Sequence, residues 1–299
     1  SVNGELYQRS EGKVSKQAHT PTTHSSEGSD TYSDATHLLR CYHQRGVLEA
    51  DPALGESHSG LRGEYAFALW DEHRARLWLG RDPFGVKPLV YAWRSGRLYF
   101  ASEAKALFAL GLKDLKPHWN FGSLERSLLY QYLPPARTYF DEVSTLPPGG
   151  SLIVSERGDR LEVTPINQIH HVSDTRDADT CNERRDEGRD ERDRKTYDVS
   201  RLKSALLEAT ALRLNADVPI CFQLSGGLDS SAILGAARDL GVTRPVAFSL
   251  VFDDDRYNEA TQAREVASAL GADWRPVNAT RARLLDALSD SVFYGEGIC

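Results

Sequence analysis

The chain has 299 residues, which suggests about two domains, and its 40% hydrophobic and 26% charged residues are ordinary for a soluble protein with sizeable cores. The formal net charge of -7 argues against a general binder of nucleic-acid backbones, though not against a local anion site. No apolar run is long enough to span a bilayer, and the opening SVNGELYQRS lacks the basic start and apolar core of a secretory signal.

VNGELY reads as strand, and the polar stretch Gln8 to Tyr32 as a long loop. Ser33-Asp34 looks like a helix start, with Ala35, Leu38, Leu39 and Tyr42 on one face up to Gly46. GEYAFALWD, ARLWLGRD, PLVYAW and RLYFAS are short strand signals separated by Gly, Pro or charged turns. Glu103 to Leu110 reads as a short helix, and PHWNFGSLERSLLYQYLPP as a helix closed by prolines. TLPPGGSLIVSERGDRLEV is a turn followed by a hairpin, which completes a mixed α+β half.

Asp174 to Lys195 is mostly charged with interleaved signs and reads as a solvated linker or exposed helix. The periodicity changes after it. Leu202, Ala205, Leu206, Ala209 and Leu212 form a helical face, and VPICFQL reads as a buried strand. DSSAILGAARDLG is a helix, VAFSLVF a strand, EATQAREVASALG a helix, and WRPVNA the start of a third strand. Strand–helix alternation predicts crossovers and a parallel sheet.

Cys41, Cys181, Cys221 and Cys299 are scattered with no CxxC, so free thiols in a reducing, cytoplasmic compartment are expected. No HExxH is present, and His170-His171 reads as a solvated pair. There is no methionine, and the chain opens inside a strand; a fragment or an incomplete gene model is the simplest account.

FQLSGGLDSSAILG, Phe222 to Gly235, carries the chemistry. Leu224 ends a strand and a helix begins near Asp229, so Ser225, Gly226, Gly227 and Leu228 form a tight turn. Glycines let main-chain amides approach an anion and adopt positive φ. The helix start adds its dipole, and Ser225, Ser230 and Ser231 offer hydroxyl donors. Asp229 would repel phosphate unless a cation intervenes, which implies Mg2+. Neither GxxxxGK[ST] nor GxGxxG is present, and an ordinary glycine turn is the alternative. SGGxDS arises by chance in roughly one chain in a few thousand of this length.

SGGLDS resembles the pyrophosphate loop of ATP pyrophosphatases, and ADVPICFQLSGGLDSSAI the opening of the synthetase domain of glutamine-hydrolysing asparagine synthetases. VAFSLVFDDDRYNEATQAREVASALGADWRPV resembles the segment that follows it. VNGELY, SDATHLLRCYHQRG, LRGEYAFALWDEHRARLWLGRDPFGVKPLVYA and LYFASEAKAL resemble the class II glutamine amidotransferase domain of the same enzymes. The resemblance implies a partial α+β sandwich of the N-terminal-nucleophile-hydrolase type over 1–165, a linker over 166–197, and a C-terminally truncated α/β parallel-sheet ATP-pyrophosphatase domain over 198–299.

By that resemblance, Asn3 and Gly4 supply the oxyanion hole of glutamine hydrolysis, Glu5 helps to hold glutamine, and Asp34 grips its amine. The nucleophile is a cysteine upstream of Asn-Gly-Glu, so Ser1, directly before the motif, is not it, and no cysteine here can substitute. Arg81 and Asp82 are expected to brace the sheet. Ser225, Gly226, Gly227, Asp229 and Ser230 would bind ATP phosphates, Leu224 and Leu250 line its adenine, and Asp229 join the Mg2+ site. Glu259 and Glu296 match acidic family positions without an assigned role. The implied reaction adenylates aspartate, releases pyrophosphate, and lets ammonia from glutamine displace AMP. The implied partners are glutamine, aspartate and ATP, with no nucleic acid or membrane, and a homodimer stays open. Alternatives are amidation or cyclisation of another carboxylate, as in β-lactam synthetases, and a non-catalytic nucleotide-binding remnant.

Overall fold

The computed structural model describes residues 2–6, 34–45, 61–157, 160–166, 199–216 and 218–297. The expected loop from Gln8 to Tyr32, the charged run from Asp174 to Lys195, and Ser1, His170, His171, Cys181 and Cys299 lie outside the described residues. The described elements form two compact units, one running to residue 166 and regaining 290–297, the other covering 199–289.

In chain order the first unit contains β1 (Val2–Leu6), α1 (Asp34–Arg45), β2 (Gly63–Asp71), β3 (Arg76–Arg81), β4 (Val90–Arg94), β5 (Arg97–Ala101), α2 (Ala104–Phe108), α3 (Phe121–Tyr130), β6 (Ser144–Thr145), β7 (Ser151–Arg157) and β8 (Arg160–Ile166). β1, β2, β3, β7 and β8 form one antiparallel sheet in that order, and β5, β4 and β6 a second.

The alternation in GEYAFALWD explains the layering, because successive side chains of a strand point to opposite faces. Tyr65, Phe67 and Leu69 of β2 pack with Trp78 of β3 and with Leu38 and Tyr42 of α1. Ala66 points the other way, into a cluster with Leu79, Leu152 and Val154 of the same sheet and Leu89 and Leu146, against which Tyr91, Trp93 and Leu98 of the second sheet pack. The second sheet's far face, through Val90 and Ala92, packs on Ala104 and Leu107 of α2 and on Leu115 and Val143. The order is therefore helix, sheet, sheet, helix, a sandwich of the expected α+β kind. Full burial of a side chain such as Leu79 contributes about 1.5–3 kcal/mol.

The long helix expected over PHWNFGSLERSLLYQYLPP is confined to Phe121–Tyr130. Asn120 caps it, its side-chain oxygen accepting the Ser123 N–H at 2.8 Å, and Gln131 ends it with φ of 60° before the prolines.

The second unit contains α4 (Val199–Arg213), β9 (Cys221–Gln223), α5 (Leu228–Asp239), β10 (Val246–Phe252), α6 (Ala260–Ala269) and β11 (Asp273–Ala279). The helix α7 (Arg281–Gly295) begins there and ends among residues counted with the first unit. β10 runs parallel to both neighbours, in the order β11-β10-β9, as the alternation of elements predicts. α5 and α6 cover one face of this sheet: Leu224, Leu234, Ala247, Ala263 and Ala267 form its core, with Phe222 and Trp274 against it.

Two expectations are corrected here. VPICFQL gives only the three-residue strand β9, and Cys221 and Gln223 are exposed rather than buried. The physical reason is position: among the described residues β9 pairs only with β10, and the helices that follow β9 and β10 both lie on one side. On α4, Leu202 and Ala205 are also exposed, and the buried residue is Thr210.

Candidate functional site

The glycine turn lies where the chain leaves the carboxyl end of the parallel sheet. Gln223 makes the last ladder pair with Phe248, and the Leu224 N–H then donates to the Phe248 carbonyl at 2.8 Å. Gly226 has φ of +85°, a conformation that side-chain-bearing residues rarely adopt. A Cβ on Gly226 would lie 2.6 Å from the Ala263 main-chain nitrogen and 2.8 Å from the Gln262 carbonyl carbon. Close approach to α6 is therefore what removes the side chain at Gly226. The sequence pointed to positive φ, as found, and to room for an anion, but not to the packing on α6. The signal for α6 was present in Ala263 and Ala267, small residues four apart and both fully buried.

Gly227 opens α5 in an extended conformation, φ −71° and ψ 170°. Serine hydroxyls knit the turn. Ser225 Oγ accepts the Gly227 N–H at 3.2 Å and lies 3.1 Å from Ser230 Oγ. Ser230 Oγ accepts the Ser225 N–H at 3.3 Å and donates to the Gly227 carbonyl at 3.3 Å. Ser225, Gly227, Leu228 and Asp229 are all exposed, and the first-turn amides of α5 have no acceptor within the helix. Because Gly226 abuts Gln262 and Ala263, the starts of α5 and α6 converge at this end of the sheet. That is where open parallel sheets take their ligands, and where two helix dipoles favour an anion.

The two residues expected to line adenine are neighbours on adjacent strands, but their side chains have different surroundings. The Leu224 side chain is 1% exposed and packs among α5 and α6, so only its main chain belongs to the turn's surface. Leu250, half exposed, instead lines a hollow of about 260 Å³ with Cys221, Phe222, Gln223, Phe248, Ser249 and Val277. Asp229 stands in the first turn of α5, exposed. Among the described residues no group of three acidic, His or Cys side chains could hold a metal by itself. One exposed carboxylate suits Mg2+ only where substrate phosphates join it, since the ion is commonly held by one or two carboxylates together with such phosphates.

In the first unit, Asn3, Gly4 and Glu5 sit mid-strand on β1, opposite Ala66, Tyr65 and Glu64 of β2, rather than in a turn. Asp34 is the first residue of α1, which packs beside β1. A buried network holds α1 to the sheet. The Tyr42 hydroxyl donates to the Asp71 carboxylate, which also accepts from the Arg74 guanidinium at 2.9 Å and the Arg74 N–H at 3.0 Å. These bonds, the Tyr42 hydroxyl first, hold the Asp71 carboxyl well below the usual carboxylate range. Sequence reasoning did not single out this network.

Arg81 and Asp82 do brace the sheet. The fully buried Asp82 carboxylate accepts the N–H groups of Phe84, Val86 and Lys87, each at 3.0 Å. Arg81 donates to the carbonyls of Lys87 and Gly85, both at 2.7 Å, and of Leu146 at 2.6 Å. Burial pulls the Arg81 guanidinium below its ordinary value, and its donors are spent on the chain itself. Glu296 is committed likewise, its two carboxylate oxygens accepting the N–H groups of Ala104 and Lys105 at 2.7 Å and so capping α2. Glu259 is exposed at the start of α6.

A family model described as glutamine amidotransferase domain matches residues 1–164, and one described as asparagine synthase matches residues 201–298. Over 252 residues the chain is 32% identical to the amidase chyE of Penicillium rubens, covering 80% of this chain and 34% of that protein. It is 32% identical to the amidase chry2 of Gibberella zeae over 256 residues, 80% of this chain and 35% of that one. With the glutamine-hydrolyzing asparagine synthetase 1 of Bacillus subtilis it shares 29% identity over 269 residues, 90% of this chain and 37% of that one. The chain thus spans about a third of the length of these curated relatives.

Proposed function

The chain belongs to the glutamine amidotransferase family, with an asparagine synthase segment behind that domain, and on that premise we propose that the full-length protein is a ligase. It activates the β-carboxylate of aspartate with ATP and amidates it with nitrogen from glutamine, releasing AMP and pyrophosphate. The observation that carries the reading is the exposed turn Ser225–Ser230 at the converging starts of α5 and α6.

In this proposal residues 1–165 handle glutamine, 198–299 handle ATP, and 166–197 join them. The Asn3 side chain and Gly4 N–H take the oxyanion of glutamine hydrolysis, Glu5 helps to hold glutamine, and Asp34 takes its amine. The first-turn amides of α5 hold the outer phosphates, and the helix dipole favours their charge. Ser225 and Ser230 keep the turn in shape, and the Leu250 hollow receives the adenine's apolar face. Asp229 would hold Mg2+, which would supply neutralisation of the charge on the leaving pyrophosphate. The rest of the chain's contribution is positioning of nucleotide and acceptor.

A second reading differs in the acceptor. Two relatives at 32% identity are named amidases, so the activated carboxylate is then one other than aspartate. The experiment is a panel of amino acids and other carboxylates offered to the full-length protein with ATP and glutamine, scored by pyrophosphate release. Aspartate alone supports the first reading and another acceptor the second. Silence across the panel, in protein that is folded and binds ATP, refutes both.

A further inference from the structure

Three strands of the second unit are tied together one residue before the glycine turn. The Leu224 carbonyl accepts the Ser249 hydroxyl at 2.6 Å, and Ser249 Oγ accepts the Trp274 indole N–H at 2.8 Å. The chemistry fixes the direction of this chain. An indole can only donate, so its proton occupies a lone pair of Ser249 Oγ, and the single hydroxyl proton is left for the Leu224 carbonyl. Ser249 is 3% exposed and Leu224 1%, so no water competes freely for either group.

The location gives the relay its purpose. Backbone pairing between β9 and β10 ends at Gln223 and Phe248, and Leu224 adds one N–H bond to the Phe248 carbonyl. Its own carbonyl is held by a side chain, so the strand stops without a stranded buried acceptor and Ser225 can turn away from the sheet. The adjacent Ser225 N–H is already turned to Ser230 Oγ.

We propose that Trp274 and Ser249 are positioning residues for the nucleotide turn: the relay from β11 through β10 sets where the chain leaves β9, and so sets ATP affinity. This rests on the reading of Ser225–Ser230 as the phosphate-binding turn.

The test uses the full-length protein and Ser249→Ala, Ser249→Thr and Trp274→Phe. Affinity for α,β-methylene-ATP with Mg2+ is measured by calorimetry, KM for ATP and for the carboxylate acceptor by steady-state kinetics, and folding by thermal melts. A turn displaced by a fraction of an ångström weakens ATP binding by about tenfold in Ser249→Ala and by about threefold or more in Trp274→Phe. The acceptor KM stays put, and Ser249→Thr, which keeps the hydroxyl, restores affinity. If Ser249→Ala does not fold, Trp274→Phe and Ser249→Thr carry the comparison. Unchanged ATP affinity in the folded variants overturns the relay's role, as does a loss that strikes ATP and acceptor equally and follows the melting temperature. Failure of the unmodified protein to bind the analogue overturns instead the nucleotide reading beneath it.

Discussion

Gly226 and Gly227 are neighbours in one motif, yet the structure assigns them unequal costs. Replacing Gly226 by Ala puts a Cβ at φ of +85°, 2.6 Å from the Ala263 nitrogen and 2.8 Å from Gln262 main-chain carbon. Both obstacles are backbone, so α5 and α6 must separate. The left-handed conformation costs about 1–2 kcal/mol and forced repacking about 1–3 kcal/mol, so a total of about 2–5 kcal/mol is expected. Gly227→Ala meets only the Ser225 hydroxyl, at 3.3 Å, in a conformation open to any residue. Its cost should stay near about 1 kcal/mol, that of a changed N-cap. Native-state hydrogen exchange on α5 and α6 peptides reads these differences locally, without requiring the whole chain to unfold in one step. Gly226→Ala should speed exchange in both helices, and Gly227→Ala only at the start of α5. Equal protection in the two variants, or greater loss in Gly227→Ala, would refute the argument that α6 dictates the first glycine.

Three further outcomes follow from the geometry. Asp71→Asn should destabilise the first unit at neutral pH, and the gap from the unmodified protein should hold down to about pH 4, the unfolded carboxyl's range. It should then shrink as pH falls toward the depressed folded value; denaturant melts at a series of pH values check this, and a gap that widens in acid contradicts it. Leu79→Ala empties a fully buried site between the two sheets and should cost about 2–5 kcal/mol in the same melts. Asp229→Asn keeps the shape of the turn and should lower kcat/KM for ATP by about tenfold to a hundredfold, with a raised Mg2+ requirement, while the exchange protection of α5 is unchanged.

Much of the fold was legible because alternation and turn residues act locally. GEYAFALWD announced β2, and the glycine-rich exit from VPICFQL located the start of α5 to within a residue. What escaped was set by tertiary position. The hydrophobic letters of VPICFQL do not say that, among the described residues, β9 pairs only with β10, so the exposure of Cys221 was unreadable. The Asn120 cap was legible in principle, but the prolines of LPP drew the helix end past Gln131. At the turn the motif was plain. Its partner α6, the Ser249 hydroxyl on Leu224 and the burial of the Leu224 side chain depend on strand order, which a linear pattern does not carry. The Tyr42–Asp71 bond joins residues 29 apart and left no local trace.

The central claim is that the turn from Ser225 to Ser230 presents ATP for cleavage between its α and β phosphates. Phosphorus NMR of the full-length protein turning over ATP with a carboxylate acceptor and glutamine measures this directly. The account predicts AMP and pyrophosphate in equal amounts, appearing only when the acceptor is present. ADP and inorganic phosphate as the products would contradict it.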